Sequence, residues 1–531
     1  MNKRSITLTS IIFSILPLFL MACSNDDSSN DESSPVQDTL IFARGGDSVS
    51  LDPSEVTDGE SENVAQSILE TLTTFAEGET TIEPMLATEW SESEDGLTYT
   101  FMLRDGVTFH DGTDFDAEAV VFNFERWMNG DADNFPMYGS VFGGYQADET
   151  HNVASISAIE ESTVEIKLKG PQPTLLKDLA LTPLSISSPA AIEESGDEYR
   201  SNPVGTGPFI FQEWQRNDRI VLEKNDEYWL DGYPKLEQVI FRTIPDNSAR
   251  LNALLSGEVD LIAGLDSENY AQIEEDPELM LFSRPPLNLG YLGMTLTHEP
   301  FDDPLVRQAL SHAVNKDAMI EAFFGEGTIA AKNPIPPAVE GYNDAIEPYP
   351  YDPEKAKELL AEAGLPDGFE MELYAMPVSR PYMPDGAKVA EYLQSNFADI
   401  GVKAEIVTFE WATYIEKALN GEADAFLLGW TGMNGDADNF LYTLWHGDNI
   451  GSTNSTQYDN PELDTLLDQA RTTTDQEERN GLYEQAQVIM HEDPPVIPLV
   501  HTSPALAGKE NIIGFDPHPT GRVMTTKIEF K

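Results

Sequence analysis

Residues 352–382 read DPEKAKELLAEAGLPDGFEMELYAMPVSRPY, and this stretch sets the fold class of the second half of the chain. Asp352 suits a helix N-cap because its carboxylate can accept the unpaired N–H groups of the first turn, and Pro353 fits that turn because the N–H it lacks has no partner there. Ala356, Leu359, Leu360 and Ala363 form an apolar stripe at helical spacing, which Gly364 ends. Phe369 to Ala375 then read as a strand. The alternation continues with a helix from Lys388 to Ala398, a strand from Val402 to Phe409, a helix from Trp411 to Leu419 and a strand from Asp424 to Trp430. A β-α-β-α-β order predicts a parallel sheet with right-handed crossovers. Two more helices follow, one opened by Asn460-Pro461 and one from Gln476 to His491. Upstream, the first half reads mainly as strands: Thr39 to Ala43, Tyr99 to Leu103, Thr163 to Leu168, Ile220 to Glu223 and Leu236 to Thr243, with a helix from Ser248 to Leu255.

Ligands of parallel α/β sheets sit outside the carboxyl ends of the strands. Two loops leave those ends here, Met376 to Tyr382 (MPVSRPY) and Thr431 to Phe440 (TGMNGDADNF), so they are expected to share one edge and converge on one ligand. Arg380 stands in a segment stiffened by Pro377, Pro381 and Pro384, where a guanidinium suits bidentate capture of a carboxylate. The same residue serves equally as a surface arginine paired with one of the chain's 93 acids. Tyr382, Trp411 and Trp430 offer flat apolar walls or simply core. The octapeptide MNGDADNF occurs twice, at Met128 to Phe135 and Met433 to Phe440. Neither copy has the spaced glycine and terminal glutamate of an EF-hand loop, and turn formation by Gly, Asn and Asp explains both better than calcium binding.

The formal charge is −62 from 31 basic and 93 acidic residues, which makes nucleic acid an improbable partner; the acids are spread along the chain as a solvated surface. At the N-terminus, Lys3 and Arg4 precede an apolar run from Ile6 to Met21 with the features of an export signal. Leu20-Met21-Ala22-Cys23 resembles the lipobox of bacterial lipoproteins, which implies cleavage before Cys23 and acylation of that residue. Cys23 is the single cysteine, so the fold rests on its packed core without disulfides. Residues 24–38 contain five acids and no base and read as a flexible tether.

Catalytic motifs are missing: there is no G-x-S-x-G, H-E-x-x-H or G-x-x-x-x-G-K-[ST], and Gly205-Thr206-Gly207 lacks the third glycine of a dinucleotide fingerprint. His110, within Phe109-His110-Asp111-Gly112, reads as a turn residue. No cofactor and no metal site are expected.

Many stretches together carry a family resemblance: Ala87 to Trp90 (ATEW), Gly96 to Phe101 (GLTYTF), Leu103 to Gly106 (LRDG), His110 to Gly112, Asn202 to Phe209 (NPVGTGPF), Phe301 to Asp303, Val306 to Leu310 (VRQAL), Ala331 to Pro337 (AKNPIPP) and the two loops above. From Asp38 to Lys531 the chain resembles the extracellular solute-binding proteins of peptide ABC importers, the dipeptide, oligopeptide and nickel family (family 5), nearest its dipeptide-binding members. The resemblance implies an α/β, two-lobed periplasmic-binding-protein-like clamshell with an extra subdomain in lobe one. Lobe one would span residues 39–285 and 500–531 and lobe two residues 286–499, after a signal at 1–22 and a lipidated tether at 23–38. It implies hinge closure on a peptide and delivery to a membrane ABC permease by a monomer anchored outside the cell membrane, or periplasmic where an outer membrane exists.

In that family the arginine of the M-P-V-x-R-P-Y loop grips the peptide carboxylate; here it is Arg380, with Tyr382 beside it and Trp430, Thr431 and Gly432 lining the site. An aspartate three residues after the loop tryptophan pairs with the peptide ammonium, and this chain has Met433 there. A thioether carries no charge, and an enclosed ammonium without a carboxylate loses on the order of 3–5 kcal/mol. Three readings follow: Asp436 or Asp438 substitutes, the ligand amine is blocked or absent, or the pocket takes a more apolar group. The acidic, glycine-rich loop favours Asp436. Nickel chelates and haem are alternative ligands, sensing is an alternative role, and an extracellular peptidase is the remote one.

An acidic surface of this density destabilises the compact state through self-repulsion unless salt screens it over a few ångströms. The melting temperature should therefore rise by about 5 °C or more between dilute buffer and molar salt; an unchanged melting curve would refute adaptation to high salt.

Overall fold

The computed structural model describes residues 38–531, and the export signal, Cys23 and nearly all of the acidic tether lie outside the described residues. Three sheets organise the described chain. A seven-stranded sheet runs in the order Leu279–Ser283, Ala505–Lys509, Leu261–Ile262, Thr39–Arg44, Gln238–Thr243, Arg219–Lys224 and Phe209–Gln215. A six-stranded sheet runs Ile329–Ala330, Val496–His501, Asn288–Met294, Ala425–Thr431, Glu370–Tyr374 and Lys403–Val407. A four-stranded antiparallel sheet, Ala87–Glu92, Thr98–Leu103, Thr163–Leu168 and Val153–Glu160, packs against the helix Ala117–Met128.

Local chemistry accounts for these elements. In Thr163–Leu168, Val164, Ile166 and Leu168 face the core beside Phe101 and Tyr99, while Lys167 faces water. Asp352 caps the helix Pro353–Glu362 by accepting from the Lys355 N–H, a contact typically worth about 1 kcal/mol. Gly364 follows that helix at φ +85°, where a β-carbon would be strained.

The six-stranded sheet is mixed. Glu370–Tyr374 pairs in parallel with Lys403–Val407 and with Ala425–Thr431, as the alternating pattern predicts. Asn288–Met294 and Val496–His501 then add on antiparallel. They are the strands through which the chain enters and leaves this half of the molecule, and no helical crossover joins them to their neighbours to dictate a parallel direction.

The chain passes between the two large sheets twice, at residues 284–287 and 502–504. The two crossovers are tied together. Asn288 Nδ2 donates to the Thr502 carbonyl at 2.9 Å, and the Thr502 N–H and hydroxyl donate to Asn288 Oδ1 at 2.9 and 3.0 Å. The Arg284 N–H donates to the Pro504 carbonyl at 2.9 Å. Separate apolar cores lie on either side. One gathers residues from Leu287 to Val500, and another joins Leu40, Phe42 and Phe241 to Leu506, Val523 and Phe530 from the chain's end.

Asn288 and Thr502 are both buried. Asn288→Ala strands two backbone groups of the return crossover and should cost roughly 2–4 kcal/mol; a urea-unfolding midpoint equal to wild type would show that the bracket contributes nothing.

Candidate functional site

The loop after Glu370–Tyr374 closes on itself at Arg380, whose N–H donates to the Met383 carbonyl at 3.1 Å while the Met383 N–H donates back at 2.9 Å. It lies flat on the sheet because two strand glycines make room. A β-carbon on Gly429 would come within 2.3 Å of the Tyr382 ring, and one on Gly290 within 2.5 Å of the Tyr382 carbonyl oxygen. The Pro381 carbonyl accepts from the Thr502 hydroxyl at 2.8 Å, which fixes the loop to the return crossover. Tyr382 is buried, and Arg380 is exposed with its guanidinium 5.0 Å from the Trp411 ring and hydrogen-bonded to Tyr382. Among the described residues Arg380 joins no ion pair.

The second loop docks on the other crossover, where the Gly432 N–H donates to the Leu287 carbonyl at 2.8 Å. Trp430 Nε1 and the Met433 N–H both donate to Asn439 Oδ1, at 3.2 and 3.1 Å. Trp430, Thr431 and Met433 are half-buried and Gly432 is buried. The two loops therefore share one edge and meet at the mouth of the crossovers.

Asp436, expected to serve a ligand amine, is ion-paired within its own chain. It is 3% exposed, and Arg479, itself 2% exposed, donates to its two oxygens at 2.7 Å each. Burial alone would raise the Asp436 pKa, but the Arg479 guanidinium, with Lys177 at 3.5 Å, outweighs it and holds the carboxyl well below the ordinary range. Asp438 is no freer. It lies 3.4 Å from Arg471, and burial, partly offset by Arg471, pushes its pKa up to about 6.

Residues that no local signal marks complete the site. Asn434 Nδ2 donates to Asp178 Oδ1 at 3.1 Å across a sequence separation of 256. Lys177 donates to the Gly435 carbonyl at 3.3 Å and to Glu340 at 3.4 Å. Gly435 has φ +66°, and a β-carbon there would lie 2.3 Å from the Thr80 side chain. His110 serves packing, with Nε2 against the Gly207 carbonyl at 2.9 Å.

Comparison with known proteins identifies this arrangement. Residues 81–452 match the family model of bacterial extracellular solute-binding proteins, family 5. The chain belongs to that family. It is 37% identical over 501 residues to a dipeptide-binding protein of Escherichia coli, covering 91% of this chain and 93% of the relative. It is 36% identical over 526 residues to heme-binding protein A of Haemophilus influenzae, covering 95% of each. A solved structure of the ABC transporter-associated periplasmic binding protein DppA from Helicobacter pylori in complex with peptide STSA superposes with a TM-score of 0.75 at 35% identity, covering 93% of this chain and 98% of that one. This solute-binding protein of the peptide-importer type thus has the two-lobed clamshell fold, and its family is one of substrate-binding proteins. Among the described residues no helix is long and apolar enough to cross a membrane.

Removing Arg479 leaves a buried charge without its counter-ion. Arg479→Met should destabilise the protein by about 3–5 kcal/mol at neutral pH. The folded-state pKa of Asp436 is depressed, so its stabilisation is present above the unfolded value of about 3.8 and is lost as pH falls from there through the lower folded-state value. The gap between variant and wild type in urea titrations should therefore narrow below about pH 4; a gap independent of pH would remove the ion pair from the account.

Proposed function

We propose that this protein is a lipid-anchored receptor that closes its lobes on a short peptide and delivers it to an ABC importer. Arg380 carries the reading. Its guanidinium is held by a braced turn, lies 5.0 Å from the Trp411 ring, hydrogen-bonds Tyr382 and joins no ion pair among the described residues. Such a group suits a ligand carboxylate, with two parallel N–H···O bonds in a partly desolvated cleft. The names of the relatives support a peptide ligand. The two crossovers give the lobes a natural hinge, and closure would bury the peptide between them. Cys23 would carry the lipid that keeps the receptor near its permease.

One observation shapes a second reading. Met433 stands where an acid would meet a ligand ammonium, and Asp436 and Asp438 are already matched to Arg479 and Arg471. A ligand whose amine is blocked, or directed to solvent, avoids burying an unpaired ammonium at Met433.

Calorimetric titration of the wild type and Arg380→Gln with a dipeptide and its N-acetylated form tests both readings. Loss of a bidentate charged contact should weaken binding by about 2–4 kcal/mol, or 30-fold and more. Equal affinity of the variant would remove Arg380 from the site. Comparable affinities for free and acetylated peptides would support the second reading, whereas binding of only the free amine would reject it.

A further inference from the structure

Two neighbouring residues bridge the parts of the chain that the crossovers separate. Lys177 and Asp178 carry hydrogen bonds and ion pairs from residues 38–283 to residues 288–501. Lys177 donates to the Gly435 carbonyl at 3.3 Å and to Glu340 at 3.4 Å, and its ammonium is 3.5 Å from Asp436. Asp178 accepts from Asn434 at 3.1 Å. Both residues close the short helix Leu175–Asp178, which the strand Thr73–Phe75 holds through the Thr73 hydroxyl, donating to the Leu176 carbonyl at 2.8 Å.

The Asp178 contact is specific in its atoms. Oδ2 accepts from the Thr174 hydroxyl at 2.7 Å and from Gln172 Nε2 at 2.9 Å, and Oδ1 faces Asn434 Nδ2. Asn434 is oriented as firmly, because its Oδ1 accepts the Asp436 N–H at 3.1 Å and its amide nitrogen is thereby turned to the carboxylate. Asp178 is 5% and Asn434 7% exposed. Parting the two sides takes this acceptor from the Asn434 donor, and changing the chemistry of one partner alone sets two donors or two acceptors against each other.

The place of the contact gives it consequence. Asn434 and Gly435 follow Met433, in the loop that Leu287 anchors through Gly432 and Asn439 through the Met433 N–H. Thr80, from the same side as Asp178, packs where Gly435 has no β-carbon. A second close approach lies at Gly96, where an added β-carbon would come 2.6 Å from the Thr474 side chain. An interaction made in only one of two conformations shifts the population toward it and raises the affinity for any ligand that binds that conformation. We infer that Lys177 and Asp178 form a catch which, by engaging Asn434 and Gly435, holds the closed form around the ligand and sets how tightly the ligand is kept. They are positioning residues that act through the Met433 loop without touching the ligand. This inference rests on the peptide-receptor reading and adds to it the residues that hold the closed form.

Asn434→Asp keeps the acceptor for the Asp436 N–H but sets a second carboxylate oxygen against Asp178. Adding Asp178→Asn restores the pair with donor and acceptor exchanged, the amide oxygen still accepting from Thr174 and Gln172. In calorimetric titration of the full chain in detergent with Ala-Ala and N-acetyl-Ala-Ala, Asn434→Asp should weaken whichever peptide the wild type binds by about tenfold or more, and the double variant should return to within about threefold of wild type. Amide exchange read by mass spectrometry should rise in Asn434→Asp at residues 174–180 and 432–436 alike, stay unchanged in the strand Glu370–Tyr374 and return to wild type in the double variant. Wild-type affinity in Asn434→Asp, or a loss that the double variant does not repair, would overturn the inference. Should the wild type bind neither peptide, the peptide reading fails by itself and exchange alone judges the catch: a rise at both stretches that the double variant repairs sustains it, and no repaired rise overturns it.

Discussion

A carboxylate shut away from water keeps its charge only if a cation is shut away with it, and the pairing of Asp436 with Arg479 meets that requirement beneath the second loop. The bidentate contact fixes the loop at a point where its backbone turns through Gly435, and the loop's other attachments depend on that turn. Asn434 is thereby presented to Asp178, the Gly435 carbonyl to Lys177 and the Gly432 N–H to Leu287. Trp430 and Met433 are left partly uncovered beside Arg380's loop. An acid that looks available in the sequence is thus paired within its own chain.

Arginine pairing is uneven in this chain of 93 acids and 31 bases: Arg126 pairs with Asp52 and Arg242 with Glu258, whereas exposed Arg216 lies over the Trp214 ring. Among the described residues Arg104, Arg216, Arg250, Arg284, Arg380 and Arg522 join no ion pair, so the lack of one does not by itself mark a ligand site.

The repeated octapeptide shows how far local sequence reaches. At Met128 to Phe135, Asp131 Oδ1 accepts from the Asp133 and Asn134 N–H groups at 3.1 Å each in a solvated turn, and Phe135 tucks into its core. At Met433 to Phe440 the equivalent Asp436 Oδ1 accepts from the Asp438 N–H at 3.0 Å, and Phe440 is again buried. The turn is a property of the eight residues. The burial of Asp436 is not, because Arg479 arrives from a helix 43 residues further on, within a run of Glu477, Glu478 and Asn480 that reads as solvent-facing. Nothing in either copy distinguishes the solvated carboxylate from the buried one.

The sequence by itself determined the elements and the chemistry available to them. Alternating Val164, Ile166 and Leu168, the Asp352 cap and the Gly364 stop act over a few residues, where hydrogen-bonding geometry and side-chain period suffice. The convergence of the Arg380 and Met433 loops followed from strand direction, and family resemblance supplied the lobes. Tertiary structure alone decided which charges were already paired. It turned Asp436 inward, added antiparallel strands to the parallel three, and brought Thr80, Lys177 and Asp178 against the second loop. Ion pairing and desolvation depend on distances between residues hundreds of positions apart, and the order of residues along a chain does not contain those distances until the two crossovers bring the sheets together.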